Sequence, residues 1–291
     1  MSGILRNLRR LGISSLGLVS VFLILAIAGP WLVPHDPTTQ DLMASSESFS
    51  ATHWLGTDHL GRDTASRLIL GAQTTLVAVA IVVCLAMCVG GLIGTISGYV
   101  GGVVDEVLMR FVDFGLSVPS MIVALAVIGV FGPGYWNMVL ALTIAWVPSY
   151  ARLSRATVAA TVHQPHIESL RVLGASHSRI VFRHLAPTAL SAVLVYASAD
   201  AGVLALAIAT LSFLGLGVQP PMAEWGQMLV DALPYMEGSP RQVILPGLAL
   251  TIMVIGFNLL GEGLALLKAP RKIKARTLLR RRSEMKMKEQ A

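Results

Sequence analysis

Charge is what this sequence has little of. Only 13% of its 291 residues are Asp, Glu, Lys or Arg, while 54% are hydrophobic and the mean hydropathy is +0.70. A soluble domain carries about a quarter charged residues. A chain this poor in charge cannot cover its own surface in water, so lipid must solvate part of it. Cysteine is also scarce. Cys84 and Cys88 stand four apart within an apolar run. Two cysteines on one helix make a poor disulfide and supply too few ligands for a metal centre, so they are expected to be small buried residues. No phosphate-cradling GxxxxGK[ST] loop occurs anywhere, which excludes ATP hydrolysis by a P-loop of this chain. Aromatic residues make up 6%, and no nucleic-acid module is recognisable, so nucleic acid is not an expected partner.

What is there is a series of apolar runs. A membrane-spanning helix needs about 20 mostly apolar residues. Runs of that kind are predicted at Ile13–Val33, Thr74–Ser97, Phe111–Phe131, Trp136–Tyr150 (short), Thr188–Leu216 and Val243–Leu267. The first exceeds the 7–15 residues of a signal-peptide core, so it is expected to be retained. The fold class expected is all-α: a polytopic membrane bundle of about six helices. The positive charges set its orientation. Six spans place both termini on one side, and of the 22 Lys and Arg only Arg62, Arg67 and Arg241 then fall on the other. Cytoplasmic termini follow from the positive-inside rule. Ten of the basic residues lie between Lys268 and Ala291, a tail expected to sit beside anionic lipid.

Two connections are long enough to meet partners. The inner one, 152–187, contains HQPHIESLRVLGASHSRIVFRHLAP from His163. Ile167, Leu170 and Leu173 fall at helical spacing, and Gly174 interrupts. Ile180, Val181 and Leu185 restart an apolar face opposite Arg179 and Arg183, and Pro187 is expected to end it. Two short amphipathic helices bent at a glycine result. Such an element suits either a groove on another protein or the lipid interface. The outer connection, 34–73, is polar and turn-rich. Asp58, Arg62 and Asp63 stand around Gly56 and Gly61, a pattern for a compact salt-bridged turn.

The inner stretch resembles the "EAA" loop of bacterial ABC-importer permeases through Glu168-Ser169-Leu170, Gly174 and Pro187, although Ser169 and Leu170 replace two alanines and Ala186 replaces a leucine. A second likeness is sharper. HWLGTDHLGRDTASRLILGAQTTL from His53 resembles the segment before the second span of the dipeptide/oligopeptide permeases. SFLGLGVQPPMAEWGQML from Ser212, PGLALTIMVIGFNLLGEGL from Pro246, and Arg110, Asp113 and Pro119 fit the same family. Ile208 departs from an acidic residue common there, and the tail beyond Pro270 is longer than usual. The resemblance is to the C-type subunit and implies the type I ABC importer permease fold. It implies an N-terminal helix and external loop over 1–72, a permease domain over 73–267 with coupling loop 152–187, and a basic tail over 268–291.

In that family the coupling loop docks into an ATPase subunit, which makes Glu168, Ser169, Leu170, Gly174, Ala175 and Pro187 the expected coupling residues. Asp58, Arg62, Asp63 and Arg67 are expected to face an extracytoplasmic substrate-binding protein. Further implied partners are a B-type permease, one or two ATPase subunits, a peptide and membrane lipid. No cofactor or metal is expected on this chain; ATP and Mg would serve the ATPase subunits. The location implied is the inner or plasma membrane. Nickel or another small solute is the alternative cargo.

Some residues lie outside these motifs. Asp200 is a carboxylate within an apolar run, and so a candidate pore-lining residue. Asp113 and Glu262 are expected near helix ends. His163, His166, His177 and His184 read as surface histidines. Pro119 and Pro148 are expected to interrupt helices, and Trp225 with Pro220 and Pro221 to anchor at the interface. An intramembrane protease using Asp113 and Asp200 would need both carboxylates within about 3 Å of each other. A passive channel would need no ATPase.

Overall fold

The computed structural model describes residues 2–268, and side chains over 16–266. The basic tail therefore lies outside the described residues. α-Helices dominate: α1 (Ser2–Leu32), α2 (Thr64–Val100), α3 (Gly102–Ser117), α4 (Ser120–Phe131), α5 (Tyr135–Val162), α6 (Pro165–Val172), α7 (His177–Ile180), α8 (Ala186–Phe213), α9 (Trp225–Ala232) and α10 (Arg241–Lys268). In hydrocarbon each backbone N–H and C=O must be satisfied within the chain, and an apolar run meets that demand as a helix. By length and apolarity, α2, the continuous helix His177–Phe213 and Arg241–Leu266 can each cross a membrane.

The expected third span is two helices. α3 and α4 meet at a 90° bend. Val118 is extended, with φ −104° and ψ 133°, and Pro119 starts the next helix. A residue before proline is pushed out of the α region, so the break falls there. Pro148 acts differently. It lies inside an unbroken α5, which runs through Val162. The first eleven residues of the expected inner loop, 152–162, are therefore helix. Pro187 does not end a helix either. It sits in the first turn of α8, directly after a π-helical turn at Val181–Leu185. There the Ala186 N–H donates to the Val181 carbonyl, five residues back. The wider turn shifts the register just ahead of the proline and lets the chain continue as one helix.

α8 packs between α2, α5 and α10, and α1 lies against α2 and α10. The main core joins Val79 and Val82 of α2, Leu142 and Tyr150 of α5, Leu204 and Ile208 of α8, and Met253 of α10. The α2–α5 seam is the closest. Gly90, Gly94 and Gly98 present bare backbone at intervals of one helical turn. A Cβ on Gly94 would stand 2.2 Å from the Ala151 carbonyl, and one on Gly98 2.8 Å from that of Arg155. Small residues at such spacing let membrane helices approach closely. Cys84 and Cys88, expected to be buried, are free thiols on the exposed side of α2. The glycine seam faces α5, both thiols lie outside it, and Cys88 opens on the groove between α2 and α8.

The seam generates a comparison. Gly94→Ala should lower stability by about 1–3 kcal/mol through overpacking. Gly91→Ala meets only the Ser154 hydroxyl at 3.9 Å, and should match or exceed the parent because helical alanine outperforms glycine by roughly 0.5–1 kcal/mol. Thermal unfolding in detergent, followed by circular dichroism, checks both. Equal midpoints for the two variants would contradict the seam.

Candidate functional site

The two ends of α2 carry two distinct polar assemblies. At its C-terminal end lies the hairpin of α6 and α7. Pro165 opens α6, where its missing N–H costs nothing. The Ser169 hydroxyl donates to the Pro165 carbonyl at 2.8 Å. The helix closes with paired bonds: Ala175 N–H to Leu170 O at 2.9 Å, and Gly174 N–H to Arg171 O at 3.0 Å. This Schellman cap requires a left-handed residue, and Gly174 supplies it at φ +78°. Ser176 then accepts from the Arg179 N–H and caps α7.

The hairpin has its own small core. Ile167, Ile180 and Leu185 are fully buried against Val158 and Val162 of α5 and Ala189 of α8, with Leu170 and Ala175 partly covered beside them. The expected apolar face is thus split. Leu173 sits at the C-cap, where the backbone is turning, and points outward instead. Val172 is 88% exposed and Leu173 81%. Glu168 and Ser169 are also exposed, as is Pro187. Glu168 has no ion-pair partner among the described residues.

Tyr99, near the end of α2, clasps the hairpin. Its hydroxyl shares a hydrogen bond with His177 Nδ1, and the Arg171 guanidinium lies 6.0 Å from its ring centroid, within cation–π range. Beside it, Asp105 of α3 takes a bidentate contact from Arg155 of α5 and a hydrogen bond from Ser97 of α2. Arg152 pairs with Asp113. Tyr99 escaped the sequence reading. The only signal was a tyrosine just after the last seam glycine, and nothing local tells which element it meets.

At the N-terminal end of α2 the outer segment folds around buried charge. Arg62, Asp63 and Arg67 are all buried. Asp58 accepts from Arg62 Nε at 2.6 Å, and Arg67 Nε lies at 3.5 Å. Asp231 of α9 faces both guanidinium groups, at 3.6 and 4.0 Å. Arg241 at the start of α10 donates to the Ser46 and Glu47 carbonyls at 2.7 and 2.6 Å. Gly61 is positive in φ, and a Cβ there would overlap the Asp41 carbonyl at 1.7 Å. The expected salt-bridged turn is present. Its buried charges serve this chain's own packing, while Leu42, Met43, Phe49 and Trp54 are the exposed large groups of the segment.

Asp63 caps α2, accepting from the Ser66 N–H at 2.8 Å and the Ser66 hydroxyl at 2.7 Å. His53 Nδ1 is 2.9 Å from its other oxygen. Burial alone would raise this carboxyl, but the bonds from His53 and Ser66 prevail and hold it below the usual carboxylate range. Burial also keeps the His59 imidazole below its ordinary value, against the opposing charge of Asp58. His35, His53 and Asp63 are the group of potential metal ligands among the described residues.

Trp225 is not an interfacial anchor. It is 1% exposed, donates from Nε1 to the Leu68 carbonyl at 3.1 Å, and packs edge-on against Phe22. Gly71 makes room for it, since a Cβ there would stand 2.7 Å from the indole. Asp200 does not line an open surface of this chain. It is 8% exposed and accepts from the Tyr150 hydroxyl at 3.0 Å. Asp113 and Asp200 have separate partners, Arg152 and Tyr150, so they do not form the proton-sharing pair that aspartic chemistry needs. Glu224, fully buried at the start of α9, was missed. It caps Gln227 N–H at 3.0 Å and accepts from Thr75 at 3.2 Å.

The chain is similar to known transport proteins along most of its length. Residues 90–274 match the family described as binding-protein-dependent transport system inner membrane component, and residues 6–49 match the N-terminal TM domain of oligopeptide transport permease C. The dipeptide transport system permease protein DppC of Escherichia coli (strain K12) is 45% identical over 256 residues, 85% of each chain. The probable D,D-dipeptide transport system permease protein DdpC of the same strain is 36% identical over 261 residues, 90% of this chain and 88% of the relative. Its nickel transport system permease protein NikC is 38% identical over 247 residues, 85% of this chain and 89% of the relative. The all-helical fold, its apolar spans and these matches lead to one conclusion: the chain belongs to the binding-protein-dependent transport system inner membrane components, as a multi-pass permease with the type I ABC importer fold.

Proposed function

We propose that this chain is one permease subunit of an ATP-driven peptide importer, and that the α6–α7 hairpin is where it docks on an ATPase subunit. The single observation that carries the docking role is the hairpin's construction. A rigid, glycine-capped element turns Val172, Leu173 and Glu168 outward while its own core grips α5 and α8. Exposed apolar groups at the tip of a rigid element make anchors for a partner's groove.

Both termini lie on the cytoplasmic side in this reading, supported by the uneven distribution of Lys and Arg. A B-type permease completes the pathway, and one or two ATPase subunits bind and hydrolyse ATP with Mg. An extracytoplasmic binding protein delivers the cargo to the outer segment, whose exposed groups include Met43, Phe49 and Trp54. Asp58, Arg62, Asp63 and Arg67 act there by holding the segment's shape. ATP biases one of two conformations of the assembly, and the hairpin passes that bias to α5 and α8 as a rigid body. Peptide is favoured as cargo by the dipeptide and D,D-dipeptide permeases among the relatives; the nickel permease keeps a metal cargo as the second reading. Peptide uptake by the assembled transporter that is unaffected by excess nickel decides for the first. Uptake of nickel alone decides for the second.

Leu173→Asp should weaken association with the ATPase subunit by about 30-fold or more, the scale of a hot-spot loss of about 2 kcal/mol, while leaving membrane insertion intact. Co-purification and ATPase-stimulated uptake read this out, and undiminished association would reject the docking role. Glu168→Lys should likewise uncouple hydrolysis from uptake.

A second expectation concerns transmission. Tyr99→Ala should retain the ATPase subunit yet reduce peptide uptake per ATP hydrolysed, because it frees the hairpin from α2 without altering the exposed tip. Unchanged coupling in reconstituted vesicles would remove Tyr99 from the path.

A further inference from the structure

We propose that His35, His53 and Asp63 bind one divalent transition-metal ion of the zinc type, which staples the outer segment to the start of α2. The three residues come from three places: just past α1, the middle of the outer segment, and the N-cap of α2. Their ligand atoms all lie within 4.8 Å of one another. His53 Nδ1 is 2.9 Å and His35 Nδ1 3.8 Å from Asp63 Oδ1. Zinc bonds of about 2.0–2.2 Å in tetrahedral geometry place neighbouring ligand atoms roughly 3.3 Å apart, and the two observed separations straddle that value. The imidazole rings are 4.8 Å apart, centroid to centroid, and tilted by 39°.

The surroundings are those of a ligand set rather than of a lone hydrogen bond. Ser66 occupies Asp63 Oδ2 through both its N–H and its hydroxyl. That leaves Oδ1 for the ion and fixes the carboxylate's orientation. The Ser66 hydroxyl also accepts from the His35 backbone N–H at 3.1 Å, so one serine positions two of the three ligands. Outer partners of this kind orient metal ligands and raise their affinity. The nearby cations do not oppose the ion unaided, because Arg62 and Arg67 are both engaged by Asp58 and Asp231. The His35 side chain is 42% exposed, which gives an ion an entry path and a fourth position for water.

Binding replaces the proton between His53 and Asp63 by the metal. In the bound form His53 Nδ1 donates its lone pair to the ion with the ring proton on Nε2, and Asp63 binds as the carboxylate. The ion is resident in this account and separate from any cargo.

The test uses the full chain in lipid nanodiscs, stripped with chelator and titrated with Co2+ and then Zn2+. One equivalent of Co2+ should produce the visible absorption of a tetrahedral site with imidazole ligands, and Zn2+ should abolish it by displacement. His35→Gln and His53→Gln should each lose that step. Ser66→Ala, a positioning change, should weaken Zn2+ by about 10–100-fold. Zn2+ should raise the unfolding temperature of the parent but not of His35→Gln. In chelator, His35→Gln should unfold with the parent, which separates loss of the ligand from loss of the fold. Absence of the Co2+ band would overturn the proposal. So would binding that survives in both histidine variants, which would assign the metal to His163, His166 or His184 instead.

Discussion

Lipid removes the usual reason for helices to associate, since an apolar side chain gains little by leaving hydrocarbon for protein. What brings α2 and α5 together is contact between backbones, permitted at Gly90, Gly94 and Gly98, where any side chain would collide with the facing helix. This seam sets the register of both helices. It delivers Ser97 at one end of α2 to Asp105, which Arg155 also grips, and Tyr99 to Arg171 and His177. The hairpin thus owes its position to a packing constraint that begins deep in the bundle.

The hairpin is joined to the bundle without a slack linker. α5 runs into it unbroken to Val162, and the chain leaves it through a π turn that continues as α8. Its own core of Ile167, Ile180 and Leu185 keeps it from flexing independently. A push on Val172 or Leu173 is therefore a push on two long helices. Close-packed interiors move between discrete arrangements rather than yielding gradually, which is the behaviour a coupling element requires.

The far end of α2 solves a different problem. Arg62 and Arg67 are taken out of water and share Asp58 and Asp231. A buried ion pair is weak evidence for net stability, because desolvation offsets much of the attraction. It does demand one geometry, since a guanidinium left without its carboxylate is heavily penalised. α2 begins at Thr64, ten residues inside the expected outer connection; between α1 and α2 there is one helical turn, at Leu42–Ala44, and an isolated bridge from Thr57 to Asp63, so these charges and the left-handed Gly56 and Gly61 supply much of its shape.

The sequence by itself determined the solvent, the helices and the local cap. A scarcity of charge and long apolar runs leave a chain in lipid no alternative to helix, and Gly174 followed by Ala175 and Ser176 writes a helix stop and restart within a few residues. Those features are local, so local reading suffices. Only the tertiary structure decided which side chains face inward and whom they meet. Trp225 is buried rather than interfacial because Gly71, 154 positions earlier in the chain, leaves the space for its indole. Asp200 meets Tyr150 across two helices, the cysteines lie outside the glycine seam, and Tyr99 finds the hairpin 78 residues away. Partners so distant along the chain leave no periodic trace. They follow from the angles and closeness at which helices pack, which belong to no single segment.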